Sequence, residues 1–196
     1  MKLPATAHTT HPWRIHQIAP DFRVEDVWAL PTPGGPDDFH RLIANFASLS
    51  FPDGAPLIVR ALWAARWRLG TWFGWDEPST GTAARVDSLR DRLPADMSAT
   101  PRPDLGDDHP FASVYLTGNE YAAELANKTV HTILHLSWVP DGAGGHRGQM
   151  AALVKPNGAL GSVYMAAIKP IRYLIVYPAL LRAFQRDWSA PGSPSP

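Results

Sequence analysis

Two histidines four residues apart, His131 and His135, and the acidic Glu124 just upstream are the side chains of this chain best suited to proton chemistry. Imidazole titrates near neutral pH, so a histidine oriented by a carboxylate can serve as a general acid or base. What else the pair can do depends on the element that carries it. On a helix, both rings would share a face and could hold one metal ion. On a strand they also share a face, but four residues span ~13 Å, too far for one zinc with bonds near ~2.1 Å. The local pattern is that of a strand. Val130, Thr132, Leu134, Leu136 and Trp138 alternate with His131, Ile133, His135, Ser137 and Val139, a period of two with β-branched enrichment. No metal site is therefore expected from the pair. The face opposite the histidines is the more apolar, so the histidine face is expected to look toward solvent. The acid–base reading requires the reverse: a ring turned inward, within hydrogen-bond reach of a second polar group.

Other candidates surround these two. Glu124, Gln149 and Lys155 fall on strands that can neighbour the histidines, and a Glu124–histidine contact would be an orienting pair or a plain cross-strand contact. Tyr115, Tyr121 and Tyr164 could turn hydroxyls into a pocket or cap buried polar groups. Lys169 and Arg172, three apart on a helical segment, could meet an anion or form a solvated side. His8 and His11 lack a third ligand nearby. There is no Gly-x-Ser-x-Gly, no His-Glu-x-x-His and no dinucleotide glycine pattern, and Gly34-Gly35 lacks the lysine and serine or threonine of a phosphate loop. No cofactor is expected.

The elements that must position these residues follow from pattern and punctuation. Pro140-Asp-Gly and Gly144-Gly145 turn the chain from the Val130–Val139 strand into a second strand, Arg147–Lys155, a hairpin. Phe111–Thr117 and Tyr121–Ala126 precede it as strands. Phe22–Leu30 is an early strand, expected to stop at Pro31-Thr-Pro-Gly-Gly-Pro36. Trp13–Ile18 reads as a short extended run. Asp37 or Asp38 caps a helix to about Ala47, with Phe39, Leu42, Ile43 and Phe46 on one face. A second helix, from Pro56 to Phe73, carries Trp63 and Trp67. Ala83–Leu93 is a short surface element anchored by Leu89 and Leu93, and Ala95–Pro110 a loop. The final helix runs from Tyr164 to Trp188 with two apolar stripes, interrupted by Pro170 and Pro178. These elements make an α+β domain over residues 13–188, a curved sheet with helices on one side, flanked by mobile tails at 1–12 and 189–196.

Composition narrows the class. Lysine plus arginine equals aspartate plus glutamate, 18 against 18, with no basic stripe, so nucleic acid is not an expected partner. There are 0 cysteines, which excludes disulfides. No signal peptide and no run of membrane-spanning length is present, so a cytoplasmic protein without integral membrane association is expected. The 8 tryptophans imply much aromatic area, buried or lining a cavity.

Glu124-Leu-Ala-Asn-Lys-Thr-Val-His-Thr-Ile-Leu-His-Leu-Ser-Trp138, Arg147-Gly-Gln-Met150, Leu153-Val-Lys-Pro-Asn-Gly158, Tyr164-Met-Ala-Ala-Ile-Lys-Pro170 and Asp26-Val-Trp-Ala-Leu-Pro-Thr-Pro33 together resemble a bacterial family of uncharacterised proteins, domain of unknown function 2867. The resemblance covers about Trp13 to Trp188. That family looks related to the START/Bet v 1-like, polyketide-cyclase-like superfamily. The resemblance implies a helix-grip fold: an antiparallel curved sheet packed on a long C-terminal helix, with two shorter helices in the N-terminal half. The two prolines of the final helix depart from that pattern. No catalytic residues come with it.

The expected function is binding of a small hydrophobic or aromatic molecule between sheet and C-terminal helix, lined by Tyr115, Trp138, Gln149, Lys155, Tyr164, Trp63 and Trp67. The alternative is a cyclase, dehydratase or isomerase using His131 or His135 with Glu124 on a polyketide-like carbonyl compound. A homodimer through the tryptophan-rich helix is a third reading.

Overall fold

The computed structural model describes residues 1–48, 87–100, 102–106, 109–126, 130–156, 165–166 and 168–189. Among these, six strands form one antiparallel sheet: β1 (Lys2–Leu3), β2 (Arg23–Gly34), β3 (Ala112–Leu116), β4 (Glu120–Ala126), β5 (Val130–Pro140) and β6 (His146–Pro156). Their spatial order is β1-β2-β6-β5-β4-β3, with β2 closing against the β5–β6 hairpin from the far end of the chain. The hairpin register, Val130↔Pro156 to Pro140↔His146, is unbroken, and Gly142 and Gly144 take the positive φ its turn requires.

The helical parts are α1 (Thr6–Thr9), α2 (Ile15–Ile18), α3 (Phe39–Ser48), a 3-10 turn at Leu89–Arg92, α4 (Ala95–Ser98) and the C-terminal segment. That last segment is helical over 168–189 and includes a π turn, Arg172–Val176, leading into α5 (Tyr177–Ser189). This is the α+β, helix-on-sheet arrangement that a helix grip implies. The second early helix expected at Pro56–Phe73 lies outside the described residues. The π turn explains how the segment tolerates its prolines. The Tyr177 N–H reaches back to the Arg172 carbonyl, and Pro178, which has no N–H, follows at once.

Helices on one side of the sheet were the expectation; both faces are covered instead. On one face, Phe39, Leu42, Ile43 and Phe46 of α3 and Tyr177, Phe184 and Trp188 of α5 pack against Trp28, Tyr121, Leu136, Trp138 and Met150. Indole N–H groups fix this layer: Trp138 Nε1 donates to Gly35 O at 2.9 Å and Trp188 Nε1 to Pro33 O at 3.0 Å. On the other face, Trp13, Ile15, Ile18, Phe22, Leu89 and Met97 pack against Val27, Tyr115, Ala122, Ile133, Ala151 and Leu153. Ile15 and Leu89 have 0% exposure, each contributing about 1.5–3 kcal/mol relative to solvent.

Three local expectations change as a result. Residues 1–12 are not a loose tail: Lys2↔Trp28 and Leu3↔Val27 add a strand to the sheet edge, and α1 lays His8 into the interior. Trp13–Ile18 is not extended, because α2 lets Trp13, Ile15 and Ile18 reach the sheet together. And β2 runs through Pro31-Thr-Pro33 to Gly34. Pairing with β6 lapses between Ala29 and Pro33, and β1 ends opposite Trp28, so the prolines sit where no ladder donor is needed. Asp38 serves the turn before α3, accepting the Gly35 N–H at 2.7 Å. Residues 190–196 lie outside the described residues.

Candidate functional site

The histidine face of β5 points inward. His131 and His135 each have 0% exposure, against the expectation of a solvent-facing side, because the N-terminal segment and the 3-10 turn close over it. Cross-strand register brings a carboxylate to each ring. His135 Nε2 donates to Glu120 Oε2 at 2.9 Å and His131 Nε2 donates to Glu124 Oε2 at 2.8 Å. A carboxylate can only accept, so the carboxylate-facing nitrogens carry hydrogens. His135 then receives on Nδ1 from His8 Nε2, 3.1 Å away. Glu120 also accepts from Tyr115 OH at 3.1 Å and from the Arg14 N–H at 3.0 Å. The result is a relay, His8–His135–Glu120–Tyr115, wholly under the N-terminal segment.

Electrostatics make the relay a neutral-histidine one. Burial, with His135, His16 and His11 nearby, drives the His8 pKa down to about 2. Burial also lowers that of His135, against the opposing pull of Glu120. Burial works to raise Glu120, but donation from His135, Arg14 and Tyr115 holds it below the usual carboxylate value. Burial and the adjacent Glu120 push the Tyr115 hydroxyl far up.

Glu124 forms the second centre. Beyond His131 it accepts from Ser88 Oγ at 2.5 Å and from the Leu89 N–H at 3.1 Å. Burial would raise its pKa, yet these donors outweigh that and lower it. The Glu124 carboxylate thereby pins the 3-10 turn to the sheet. Each histidine–glutamate pair satisfies the geometric condition for acid–base chemistry, an inward ring beside a second polar group. Among the described residues, no group of three or more His, Cys, Asp or Glu is placed to hold a metal ion.

The opposite face carries a different construction. Asp26, 2% exposed, accepts from Arg172 Nη2, Tyr173 OH and, at 2.8 Å, Tyr177 OH. Arg172 Nη2 also donates to Tyr177 OH at 2.7 Å, and its buried Nη1 has no hydrogen-bond partner among the described residues. The π turn brings Arg172, Tyr173 and Tyr177 to this one carboxylate. Burial lowers the Arg172 pKa, but Tyr177 and Asp26 more than reverse that and raise it. From Asp26, register carries a row across the sheet on the same face: Asp26↔Ala152, Ala152↔Leu134, Leu134↔Ala123, Ala123↔Ser113. The next row is bulky: Trp28, Met150, Leu136 and Tyr121. Leu134 is half-buried, as are Thr132 and Leu125 beyond it. Side-chain size thus dips along a trough across the sheet, interrupted at Leu134, with Asp26 and its partners at one end and Ser113, bonded to Tyr121 OH at 2.7 Å, at the other.

The residues expected to act together divide between the two faces. His131, His135, Glu124, Tyr115 and Gln149 share the N-terminal-covered face, Gln149 donating to Ala7 O at 3.2 Å. Trp138 lies on the C-terminal-helix face. Lys155 is at the rim, paired with Asp21 at 2.8 Å. Tyr164, Trp63 and Trp67 lie outside the described residues. Lys169 is exposed, while Arg172 is turned in toward Asp26. Sequence reasoning missed Glu120, His8, Asp26, Tyr173 and Tyr177. Glu120 is four residues before Glu124, as His131 is before His135, and pairing two such spacings would have found it. Nothing local marks His8 or Asp26.

Among the described residues, no helix is long and apolar enough to cross a membrane. No curated protein and no solved structure matches the chain. A family model does match, over residues 18–179, from the end of α2 into α5, and so takes in both histidine–glutamate pairs and Asp26 with its partners. By that match the chain belongs to the family described as "Protein of unknown function (DUF2867)".

Proposed function

We propose that this protein binds a small hydrophobic or aromatic molecule against the sheet face beneath the C-terminal helix. The observation that carries this reading is the row Asp26–Ala152–Leu134–Ala123–Ser113, small apart from Leu134 and flanked on one side by the aromatic and bulky Trp28, Met150, Leu136 and Tyr121. Sites for small molecules combine apolar walls with a few polar groups at fixed points. Here the walls are Trp28 and Tyr121, and the polar end is the Arg172 guanidinium, whose Nη1 has no hydrogen-bond partner among the described residues. A carbonyl or carboxylate on an apolar body suits that end. The helix-on-sheet arrangement is also the one that START/Bet v 1-like proteins use, an analogy of fold alone. The test is native mass spectrometry with a thermal-shift screen of fatty acids, polyketide-like aromatics and aromatic acids. A ligand at 100 times its dissociation constant stabilises by about 2.7 kcal/mol. Ala152→Phe should fill the trough and abolish that gain while the protein stays folded. If no compound shifts the wild type, and Ala152→Phe is destabilised by overpacking, the trough is already full and the reading fails.

The two buried histidine–glutamate contacts favour a second reading, an isomerase, dehydratase or cyclase acting on a carbonyl compound. His135 or His131 would move the proton, with Glu120 or Glu124 orienting the ring. Substrate would have to approach from the N-terminal-covered face, not from the trough. His135→Gln and His131→Gln should then lower turnover by about 10²–10⁴-fold. Unchanged turnover in both variants would leave the pairs a structural role. Light scattering tests the accompanying homodimer.

A further inference from the structure

We propose that a cleft outside the edge strand β3 binds a small anion, a carboxylate or phosphate ester attached to an aromatic body, independently of the trough. The cleft has a volume of about 450 Å³, within the range of small-molecule sites, and its walls include Arg90, Arg102, His109, Leu105 and Phe111. Two cations meet there because the edge strand calls them in. Among the described residues no strand lies beyond β3, so carbonyls on its outer side face the arginines instead of a ladder partner. Arg90 Nε donates to Ser113 O at 2.7 Å and Arg102 Nη1 approaches Val114 O at 3.5 Å. A guanidinium has five N–H groups in a fixed fork, so each arginine keeps several donors. Neither forms an ion pair with a described carboxylate.

The acids of the cleft do not cancel them. Glu124 is saturated by Ser88, Leu89 and His131. Asp104 accepts the Gly106 N–H at 2.9 Å and is exposed. His109 supplies a third polar group. Its Nδ1 lies 3.2 Å from the Phe111 N and 3.3 Å from the Phe111 O; as acceptor of that N–H it turns a protonated Nε2 outward, and as donor to that oxygen it turns an Nε2 acceptor outward. Burial lowers its pKa, so the ring meets a ligand uncharged. Buried Phe46 backs His109 at a ring-centroid distance of 5.3 Å, and Phe111, in the cleft wall 6.0 Å from His109, offers a face on which a ligand ring can stack.

The test uses the full chain, titrated with phenyl phosphate, benzoate and inorganic phosphate and followed by amide chemical shifts. Saturable shifts at Gly106, His109 and Phe111 are expected, with the aromatic anions binding more tightly than phosphate alone. Whichever of benzoate and phenyl phosphate binds better assigns the headgroup. Arg102→Ala should weaken binding by about tenfold, the loss of one charge-assisted contact, with Arg102→Lys intermediate and thermal melting unchanged. Arg186→Ala, at an exposed position on α5, should leave affinity as it is. Shifts that never saturate, or an Arg102→Ala affinity equal to wild type, overturn the proposal.

Discussion

Replacing Glu124 by alanine tests the idea that the buried carboxylates hold the N-terminal-side layer to the sheet. Glu124 is 1% exposed and receives the Leu89 N–H, the His131 ring N–H and the Ser88 hydroxyl. Removal strands the first two donors away from water, at about 1–3 kcal/mol each. The Ser88 hydroxyl is only partly buried and can rotate toward solvent, so it adds little. The sum, about 2–6 kcal/mol with a centre near 4, brackets the roughly 3–5 kcal/mol that breaking a buried charged contact usually costs. Against a total stability of about 5–15 kcal/mol, a loss of about 4 kcal/mol is roughly a quarter at the high end of that range and most of it at the low end. In urea unfolding, with an m value near 2 kcal/mol/M, the midpoint should fall by about 2 M while m itself is unchanged. Ser88→Ala should cost no more than about 1.5 kcal/mol. Acid adds a second signature. The Glu124 pKa is lowered in the folded protein, so its contribution is complete above the unfolded value and is lost as pH falls through the folded one. Glu124→Gln should lack that part of the acid slope. A midpoint loss equivalent to under about 1 kcal/mol for Glu124→Ala would mean that water reaches these donors, and the sealed network would be refuted.

Three further outcomes follow from the same geometry. His8 stays neutral in the folded protein down to about pH 2 but takes a proton near pH 6.5 when released, so stability falls as pH drops between those values. The slope is at most about 1.4 kcal/mol per pH unit for that ring, and hydrogen exchange at Lys2–His16 should show the N-terminal segment opening first. His8→Phe should flatten this trend; a wild type equally protected at pH 7 and pH 4.5 would count against it. Asp26→Ala removes the acceptor shared by Arg172, Tyr173 and Tyr177, and should destabilise by about 3–5 kcal/mol and loosen α5 in exchange experiments. A Cβ at Gly148 would lie 2.8 Å from Thr32 Oγ1, 2.9 Å from Leu42 Cδ2 and 3.0 Å from Leu30 Cδ1. Gly148→Ala should therefore cost about 1–3 kcal/mol by overpacking between β6, β2 and α3, measurable as a lowered melting temperature.

The strands β2 to β6 were legible because each is a local statement. Period two in Val130–Val139 and the glycines after Pro140 are encoded within a dozen residues, and the hairpin register follows. The one-sided face of α3 is local in the same way. Misreadings arose where a neighbour changed the meaning of a local signal. Pro31 and Pro33 would break a strand bonded on both sides, but past Trp28 β2 has, among the described residues, only β6 beside it, and that pairing lapses between Ala29 and Pro33. Trp13–Ile18 has no period of its own, and its helical turn is selected by the sheet it covers. The π turn resolves a conflict between helix and proline that composition could only flag.

The residue chemistry divides along the same line. Sequence by itself determined the inventory and the alternation: His131 and His135 on one face with Ile133, Trp138 on the other, and a strand spacing that keeps the two histidines off one metal. Which face is interior was decided only by tertiary structure, since alternation says that two sides differ and not what covers each. The N-terminal segment, 127 residues from His135 at His8, supplies that cover. Likewise Asp26 becomes a buried anchor because Arg172 and Tyr177 arrive from the other end of the chain, 146 and 151 residues away. Burial and pKa depend on such long-range contacts, which have no period for a local window to detect.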